Sequence, residues 1–406
     1  MSDDTIPSFK KKIATPSFFA CFFSSFFVCL AYFPLNPTLP LYLRNDLGMS
    51  GAEIGRIVSA YAFAALFSRP ITGMLLDSFS RKKLYILFLA IFTSSFIVHH
   101  WAFTFIPLFL LRCFQGVLWG GITAGGSAII TDVVPASRRG EGLSYYGLSM
   151  PIAMGFGPII GMAIFSLYSF TAVWVEAIVL SFIAVICAFF ITTKRTPNHV
   201  PKTNKTSIKD KLFFKPGVPI VLTMLFLAFP QGIAISYAAM YGQQIGMETP
   251  AWFYVSIAFG GICSRLFIGK NLDKGYLRYL VTMALSLLVI SYVMLSLIPQ
   301  AWCYICTGIG IGIGFGMMMP SMLTMLMNLA KPEQRGAASS TLFTAMDLGF
   351  GLGILIGGAL IDITGLNKIF LIGAAVDLVA IVVFLTISYR AYQRLILQKL
   401  SAIKEE

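Results

Sequence analysis

Charged side chains are scarce in this chain of 406 residues. Only 12% of the residues are charged, whereas 57% are hydrophobic and the mean hydropathy is +0.81. A soluble domain carries about a quarter charged residues, so this composition excludes an ordinary soluble protein. Backbone groups in lipid must be bonded within the protein, which leaves helices or a closed barrel. The apolar runs reach about 20 residues, the length of a helix that crosses a bilayer, and lack the short alternating strands of a barrel.

Histidine and clusters of metal ligands are also rare. The chain has 3 histidines and 7 cysteines, and the cysteines are scattered along apolar segments. Cys303 and Cys306 form a CxxC without a second Cys or His pair, which favours buried small hydrophobes over a metal or redox site. His99 and His100 lie in a predicted loop, where a polar turn is favoured over a metal site. With no nucleotide-binding loop and no nucleophile–base constellation, the sequence predicts no enzyme, no cofactor and no metal.

Acidic residues are outnumbered by basic ones, 17 to 30, and the net charge is +13. Such an excess often indicates nucleic-acid binding, but here the charges lie in short loops between apolar spans, so no nucleic-acid partner is expected. With the N-terminus in the cytoplasm, 24 of the 30 basic residues fall on the cytoplasmic side. The positive-inside rule therefore predicts cytoplasmic N- and C-termini and an even number of spans.

The apolar segments predict an all-α membrane protein with twelve transmembrane helices. A polar linker at 193–216, with seven Lys or Arg, separates an N-terminal six-helix half (1–192) from a C-terminal six-helix half (217–406). The predicted spans are 16–43, 51–78, 83–100, 103–134, 141–168, 170–192, 217–245, 250–271, 277–297, 301–330, 335–363 and 366–392.

The two halves repeat each other at a constant offset of 196 residues. Phe33-Pro34 recurs as Phe229-Pro230, and the single offset means that no net insertion separates the halves. Two like membrane halves are an arrangement used for alternating-access transport. The other matches are Ser68-Arg69 with Ser264-Arg265, Gly73 and Asp77 with Gly269 and Asp273, Gly116 and Gly120 with Gly312 and Gly316, Arg139-Gly140 with Arg335-Gly336, and Gly155, Gly157 and Gly161 with Gly351, Gly353 and Gly357.

A charged motif lies between spans 2 and 3. Gly73 is followed four residues later by Asp77 and then by a basic cluster that begins at Arg81. This pattern resembles the signature of the major facilitator superfamily, although Ser80 stands where the family usually has a second glycine. The resemblance implies a gating cluster in which Asp77, Arg81 and an acid at the end of span 4, here Asp132, lock one conformation. The alternative is a turn that only enforces topology.

Span 4 carries a run that is similar to the family's second motif. Arg112 is followed by Gln115 and Gly116, and the repeat position of Arg112 is Gly308, so the charge is not a symmetric packing device. A charge at the helix centre costs about 2.5–3.5 kcal/mol on insertion scales, and such residues usually face a cavity. We therefore expect a functional role for Arg112.

Span 5 carries a run similar to the family's third motif, which is typical of exporters and antiporters. Its members are Gly155, Gly157, Pro158 and Gly161. We expect these small residues to let span 5 pack against the other half while the proline bends the helix. The alternative is ordinary small-residue packing without any bearing on direction.

Three acids within spans are candidates for proton coupling. Asp347 lies about a dozen residues into span 11, near the midplane at 1.5 Å per residue. Asp377 is similarly deep in span 12, a helix that is often peripheral in this family. Glu176 lies near the outer end of span 6, where it is either a coupling group or simply solvated. Span 1 has no acid, in contrast to many proton antiporters of the family.

Polar and cationic side chains in the spans are candidates for the substrate pathway. Arg69 and Arg265 are repeat-equivalent, and they either snorkel toward the cytoplasm or attract an anionic or zwitterionic solute. The candidates are Arg112, Gln115, Tyr32, Asn36, Arg69, Arg265, Tyr237 and Gln231.

The sequence thus predicts a secondary active transporter that exports a small organic solute by proton-coupled alternating access. The resemblance is to the bacterial drug and metabolite–proton antiporters, which implies a monomer in the bacterial inner membrane with a small solute, protons and the lipid bilayer as its partners. Two alternatives stay open, an uptake permease for a small metabolite and a non-transporting membrane sensor.

Overall fold

The computed structural model describes residues 13–135, 138–193, 214–273, 277–330 and 334–405. These residues form helices and contain no strand. Within them, nine helices are long and apolar enough to cross a membrane. The predicted all-α membrane architecture is confirmed.

The described residues of the N-terminal part form eight α-helices. The first predicted span is two helices, because Pro34 lacks an N–H and the chain turns at Phe33-Pro34. The fifth predicted span is likewise divided, at Gly147-Leu148. The helices are α1 (Pro16–Tyr32), α2 (Leu35–Asn45), α3 (Gly51–Ser78), α4 (Arg81–Val98), α5 (Phe105–Val133), α6 (Arg139–Tyr146), α7 (Ser149–Leu167) and α8 (Phe170–Phe189).

In the C-terminal part, the residues that the structure describes form seven α-helices. The last predicted span runs on beyond its expected end, through a π-helical turn at Phe384–Ser388. The helices are α9 (Val218–Gln244), α10 (Trp252–Asp273), α11 (Leu277–Leu297), α12 (Ala301–Leu329), α13 (Arg335–Thr364), α14 (Leu366–Val383) and α15 (Tyr389–Glu405).

Short polar signals fix several helix ends. The Thr15 hydroxyl accepts the Phe18 N–H at 3.2 Å and so caps α1, whose first residue is a proline. At α3, the Glu53 carboxylate accepts the Ser50 N–H at 2.9 Å and the Ser50 hydroxyl accepts the Glu53 N–H at 3.3 Å, a capping box. Gly365, with φ at 88°, separates α13 from α14 without a loop.

Contacts divide the chain into two compact units. Unit 1 is Met1–Leu39 with Phe63–Thr203, and unit 2 is Pro40–Ala62 with Asn204–Glu406. Residues 40–62 therefore group with the C-terminal helices, although the sequence placed them in the N-terminal half.

The start of α3 shows the reason for this grouping. The N–H groups of Gly51 and Ala52 donate to the two carboxylate oxygens of Asp362 at 3.1 and 3.2 Å. A carboxylate suits this position because the first N–H groups of a helix have no partner within the helix. A Cβ at Gly51 would lie 2.7 Å from the carbonyl oxygen of Gly358, so the two backbones are in close contact.

The sequence repeat extends to the packing within each unit. In unit 1, α8 packs on α1 and on α4; in unit 2, α14 packs on α9 and on α11. These helix pairs are related by the 196-residue offset, so the two units use one packing plan.

Candidate functional site

The predicted gating cluster is present in part. Nη1 of Arg81, at the start of α4, donates to both carboxylate oxygens of Asp132 at 3.0 Å, near the end of α5. The two side chains are 18% and 10% exposed, so this ion pair is well shielded from solvent. The side chains of Gly73 and Asp77 lie outside the described residues, and their part in the cluster stays a prediction.

A cationic cluster lies within unit 1. Arg112 on α5 is 1% exposed, and its Nη1 donates to the Gln115 amide oxygen at 3.1 Å. Its guanidinium stands 5.8 Å from the ring centre of Tyr32 on α1, within the range of a cation–π contact. Gln115 in turn donates to the hydroxyl of Ser95 on α4 at 3.1 Å. Three sequence candidates thus meet in one cluster, which also recruits Ser95, a residue that carried no signal in the sequence.

Neighbouring aromatic rings close this cluster. The ring of Trp119 lies 4.9 Å from that of Tyr32 and 6.1 Å from that of Phe92. Packing of this kind excludes water, which strengthens the electrostatic contacts of Arg112.

His99 corrects the sequence-based expectation of a polar turn. It lies in a 3₁₀ turn after α4, is fully buried, and stacks on the Trp174 ring at 4.7 Å. Burial, with a smaller contribution from the Arg112 charge, lowers the pKa of His99 to about 3. Neither ring nitrogen has a hydrogen-bond partner among the described residues. The histidine is therefore neutral at physiological pH and sits beside the cationic cluster.

An acidic cluster lies within unit 2. The hydroxyl of Tyr292 on α11 donates to the Gln231 amide oxygen on α9 at 3.0 Å, and both side chains are 1% exposed. Asp377 on α14 is fully buried, and Gly373, one turn earlier on the same helix, packs against Pro230, the neighbour of Gln231. Neither carboxylate oxygen of Asp377 has a hydrogen-bond partner in the described part of the chain. The sequence singled out Asp377 and Gln231 separately, and the fold brings them to one place.

Two further acids occupy different surroundings. Asp347 is half-buried on α13, where it is the thirteenth residue of the helix. Glu176 on α8 has both carboxylate oxygens buried, with no hydrogen-bond partner among the described residues. The interpretation of Glu176 as a solvated side chain is therefore wrong, because its helix packs that face against neighbours.

The remaining pathway candidates are dispersed. The Tyr237 hydroxyl donates to the Ile354 carbonyl at 2.7 Å, a contact that fastens α9 to α13. Asn36 is half-buried at the start of α2, and Arg69 is half-buried on α3. The side chain of Arg265 lies outside the described residues.

The glycines of span 5 contact a different partner from the one expected. A Cβ at Gly157 would lie 2.6 Å from the Phe33 Cβ, and one at Gly161 would lie 2.6 Å from the Pro34 Cβ. Gly157, Pro158 and Gly161 are buried. These two glycines therefore hold α7 against the break between α1 and α2 in the same unit, whereas the sequence predicted packing against the other half.

Within the described residues, no group of three or more His, Cys, Asp or Glu side chains could hold a metal ion. Each cluster instead joins one kind of charge to neutral hydrogen-bonding groups from three helices, which suits the binding of a small charged species.

Comparison with known proteins places this architecture in a family. The family model for the Major Facilitator Superfamily matches residues 21–346 and 304–400. The chain belongs to the major facilitator superfamily. It is a multi-pass membrane protein with the two-half transporter fold that its sequence resemblance implied.

Curated bacterial proteins that are similar to this chain include a quinolone resistance protein and a staphylopine export protein. The chain is 29% identical over 359 residues to the quinolone resistance protein NorA of Staphylococcus aureus (strain MRSA252), covering 85% of this chain and 90% of NorA. It is 25% identical over 388 residues to the staphylopine export protein of Staphylococcus aureus (strain Mu50 / ATCC 700699), covering 90% of this chain and 95% of the relative.

Solved transporter structures share the fold. The nucleoside transporter NupG superposes with a TM-score of 0.70 at 17% identity, over 91% of this chain and 98% of NupG. A bacterial homolog of the human lysosomal transporter Spinster gives 0.72 at 15% identity, over 96% of this chain and 98% of that one.

Proposed function

We propose that this superfamily transporter is a proton-coupled exporter of a small organic solute in a bacterial inner membrane, with both termini cytoplasmic. The observation that carries the proposal is the pair of buried clusters, one cationic around Arg112 and one acidic around Asp377. Ionisable groups inside membrane spans are costly and mark substrate or ion pathways. The export function named for the staphylopine export protein supports export as the direction.

The cationic cluster is the proposed solute site. Arg112 offers fixed N–H donors to a carboxylate or phosphate group of the solute, and Gln115 holds the guanidinium in place at 3.1 Å. Tyr32 covers one face of the guanidinium. The site therefore favours an anionic or zwitterionic solute.

The acids supply proton coupling in this proposal. Asp347 is the first candidate because it is half-buried near the middle of α13, with Asp377 and Glu176 as the others. The Arg81–Asp132 pair is the proposed latch that holds one state between proton and solute steps.

The test uses purified protein in vesicles that contain a pH dye. An imposed proton gradient combined with pooled metabolites should give solute-dependent proton flux with at least one pool. Asp347→Asn should abolish that flux, whereas Asp46→Asn, which removes an exposed carboxylate, should leave it unchanged.

Absence of flux with every pool in tight vesicles would contradict proton coupling. Unchanged flux in Asp347→Asn would contradict the assignment of Asp347. Accumulation of the active pool in inside-out but not in right-side-out vesicles would support export, and the reverse result would favour the uptake permease.

A further inference from the structure

The second unit holds a buried carboxyl group that its own packing does not require. Asp377 is fully buried between α14 and the helices on which it packs, α9 and α11. A fully buried carboxylate that is ionised and has no hydrogen bonds is strongly disfavoured. The presence of the Asp377 carboxyl group at a buried position therefore indicates a role other than packing.

Hydrogen bonding around Asp377 fits the neutral form of the carboxyl. The Tyr292 hydroxyl donates to Gln231 rather than to Asp377, and the Gln231 amide N–H groups have no acceptor in the described part of the chain. An ionised Asp377 would compete for both donors, because a carboxylate binds them more strongly than a neutral amide oxygen does. Gain or loss of one proton would therefore rearrange the Tyr292–Gln231 hydrogen bond.

The first unit provides an internal control for this interpretation. The positions 196 residues before Gln231, Tyr292 and Asp377 are Leu35, Phe96 and Ser181. All three are buried, and the Ser181 hydroxyl is satisfied by the Ala177 carbonyl at 2.6 Å. The same helix packing is thus achieved in unit 1 without an acid, an amide or a phenol.

Gln231 connects this cluster to the rest of the unit. It follows Pro230, which lies inside α9 and removes one backbone hydrogen bond there. A Cβ at Gly373 of α14 would lie 2.9 Å from the Pro230 Cβ, and one at Gly232 would lie 2.5 Å from the Phe350 carbonyl oxygen of α13. The weakened segment of α9 is therefore held between α14 on one side and α13 on the other.

We propose that Asp377, Gln231 and Tyr292 form a proton-binding site that loads and unloads once per transport cycle and acts on the segment of α9 that Pro230 weakens. This inference rests on the proposed function and adds Asp377 to Asp347 as an acid that coupling requires. Uptake of a proton from water forms one O–H bond on an Asp377 carboxylate oxygen and neutralises the carboxylate. Release breaks that bond and returns the proton to water, and the carboxylate then draws the donors of Gln231 and Tyr292.

In the proposed site, Asp377 is the side chain that gains and loses the proton. Tyr292 comes from α11 and Gln231, which carries no charge, from α9. The third packed helix, α13, carries Asp347 and Asp362, and the Asp362 carboxylate accepts the N–H groups of Gly51 and Ala52.

Infrared difference spectroscopy of the purified full-length protein tests the site without any solute. A protonated buried carboxyl gives a carbonyl stretching band that a pH titration can follow. This band should disappear in Asp377→Asn and in Asp377→Ser, which installs the repeat residue Ser181 of the first unit. It should persist in Asp347→Asn and in Ser181→Ala. Persistence of every band in both Asp377 variants would overturn the proposal.

Transport tests the role of the site in the cycle. In Asp377→Asn vesicles, proton-driven flux of the metabolite pool found active above should fall to the level of empty vesicles, while solute exchange without a proton gradient continues. Full proton-driven flux in that variant would overturn the proposal even if the infrared band is lost.

A triple variant separates folding from function. Gln231→Leu, Tyr292→Phe and Asp377→Ser together reproduce the composition of the first unit, and this protein should fold with a Tm at least as high as the wild type. If it folds and still couples, the proposal is overturned.

The two proposals can fail separately. A wild-type protein that shows the Asp377 band but no proton-driven transport would contradict the proposed function. The proton site would then be supported as a binding site only. A wild-type protein that shows proton-driven transport, but whose infrared band is unchanged in the Asp377 variants, would support the proposed function and contradict the proton site.

Discussion

The two units share a packing plan but differ in the chemistry that they bury. Unit 1 holds Arg112 and Gln115, whose repeat positions in unit 2 are Gly308 and Ile311. Unit 2 holds the cluster around Asp377, whose repeat position is Ser181. The buried polar clusters therefore do not follow the repeat, whereas Phe33-Pro34 and several glycines do. Helix packing requires the same small residues in both units, whereas each binding cluster requires its polar residues in one unit only.

The gate shows the same asymmetry. Arg81 and Asp132 form an ion pair in unit 1, while their repeat positions are Leu277 and Asn328. Asn328 instead donates to the Tyr392 hydroxyl at 3.0 Å. Substitutions that install one unit's residue in the other therefore test which differences matter.

The largest effect is expected from Arg112→Gly, which installs the repeat residue Gly308. Loss of hydrogen bonds to a charged donor, worth about 1.5–3 kcal/mol each, should weaken the apparent affinity for the active metabolite pool roughly 10- to 100-fold. Proton-flux titrations in vesicles measure this. Arg56→Gln removes an exposed arginine and should change nothing. Unaltered affinity in Arg112→Gly would remove Arg112 from the solute site.

Gly157→Ala tests packing that both units share. The new Cβ would meet Phe33 at 2.6 Å, so we expect a loss of about 1–3 kcal/mol of stability, typical of overpacking. Thermal unfolding in detergent measures the fall in Tm. The matched control is Gly155→Ala two residues away, where a Cβ would meet nothing within 4 Å and the Tm should hold. Equal Tm values for the two variants would contradict the packing argument.

His99→Leu installs the repeat residue Leu295 and tests the pH dependence of unit 1. The pKa of His99 is lowered from 6.5 to about 3, so its neutral form supports the fold fully above pH 6.5. That support is lost as the pH falls from 6.5 toward 3, because the unfolded chain takes up the proton first. At pH 5 the loss is about 2 kcal/mol.

The measurement is the change in Tm between pH 7.5 and pH 5 in both proteins. The wild type should lose more stability than His99→Leu, and His100→Leu should behave like the wild type. An identical pH dependence in wild type and His99→Leu would show that the His99 ring is not buried in solution.

The smallest effect is expected at the gate. Arg81→Leu and Asp132→Asn install the repeat residues and remove a shielded ion pair, which should shift the balance of inward- and outward-facing states by about 1 kcal/mol. Spin-label distances between the two halves report this balance. Lys83→Ala removes a charge from the same turn and serves as the control. If neither substitution changes the balance of inward- and outward-facing states, the motif is a turn that only enforces the topology of the chain.

Local sequence predicted the helices closely, since each span is a continuous apolar run bounded by polar or capping residues. The spans 51–78 and 277–297 match α3 and α11 to the residue. The Arg81–Asp132 pair was also predictable, because a family motif marks both ends. Proline explains why span 1, which was predicted as one helix, is two helices. The apolar pattern continues through Phe33-Pro34, but the helix does not.

Side-chain partners were harder to predict because they depend on how each helix is rotated. Ser95, His99 and Tyr292 carry no special pattern, and each gained its place from helices that pack around it. Hydropathy assigns a residue to a span but does not say which neighbour it faces.

The sequence by itself determined the membrane class, the helical spans, the repeat and the family, because these depend on composition and on patterns along the chain. Only the tertiary structure decided that Gln231 meets Tyr292 across 61 positions, that Asp377 joins them, and that residues 40–62 group with the C-terminal helices. Such contacts arise from the close approach of helices far apart in sequence, where glycine spacing and hydrogen-bond geometry select one packing among many that hydropathy allows.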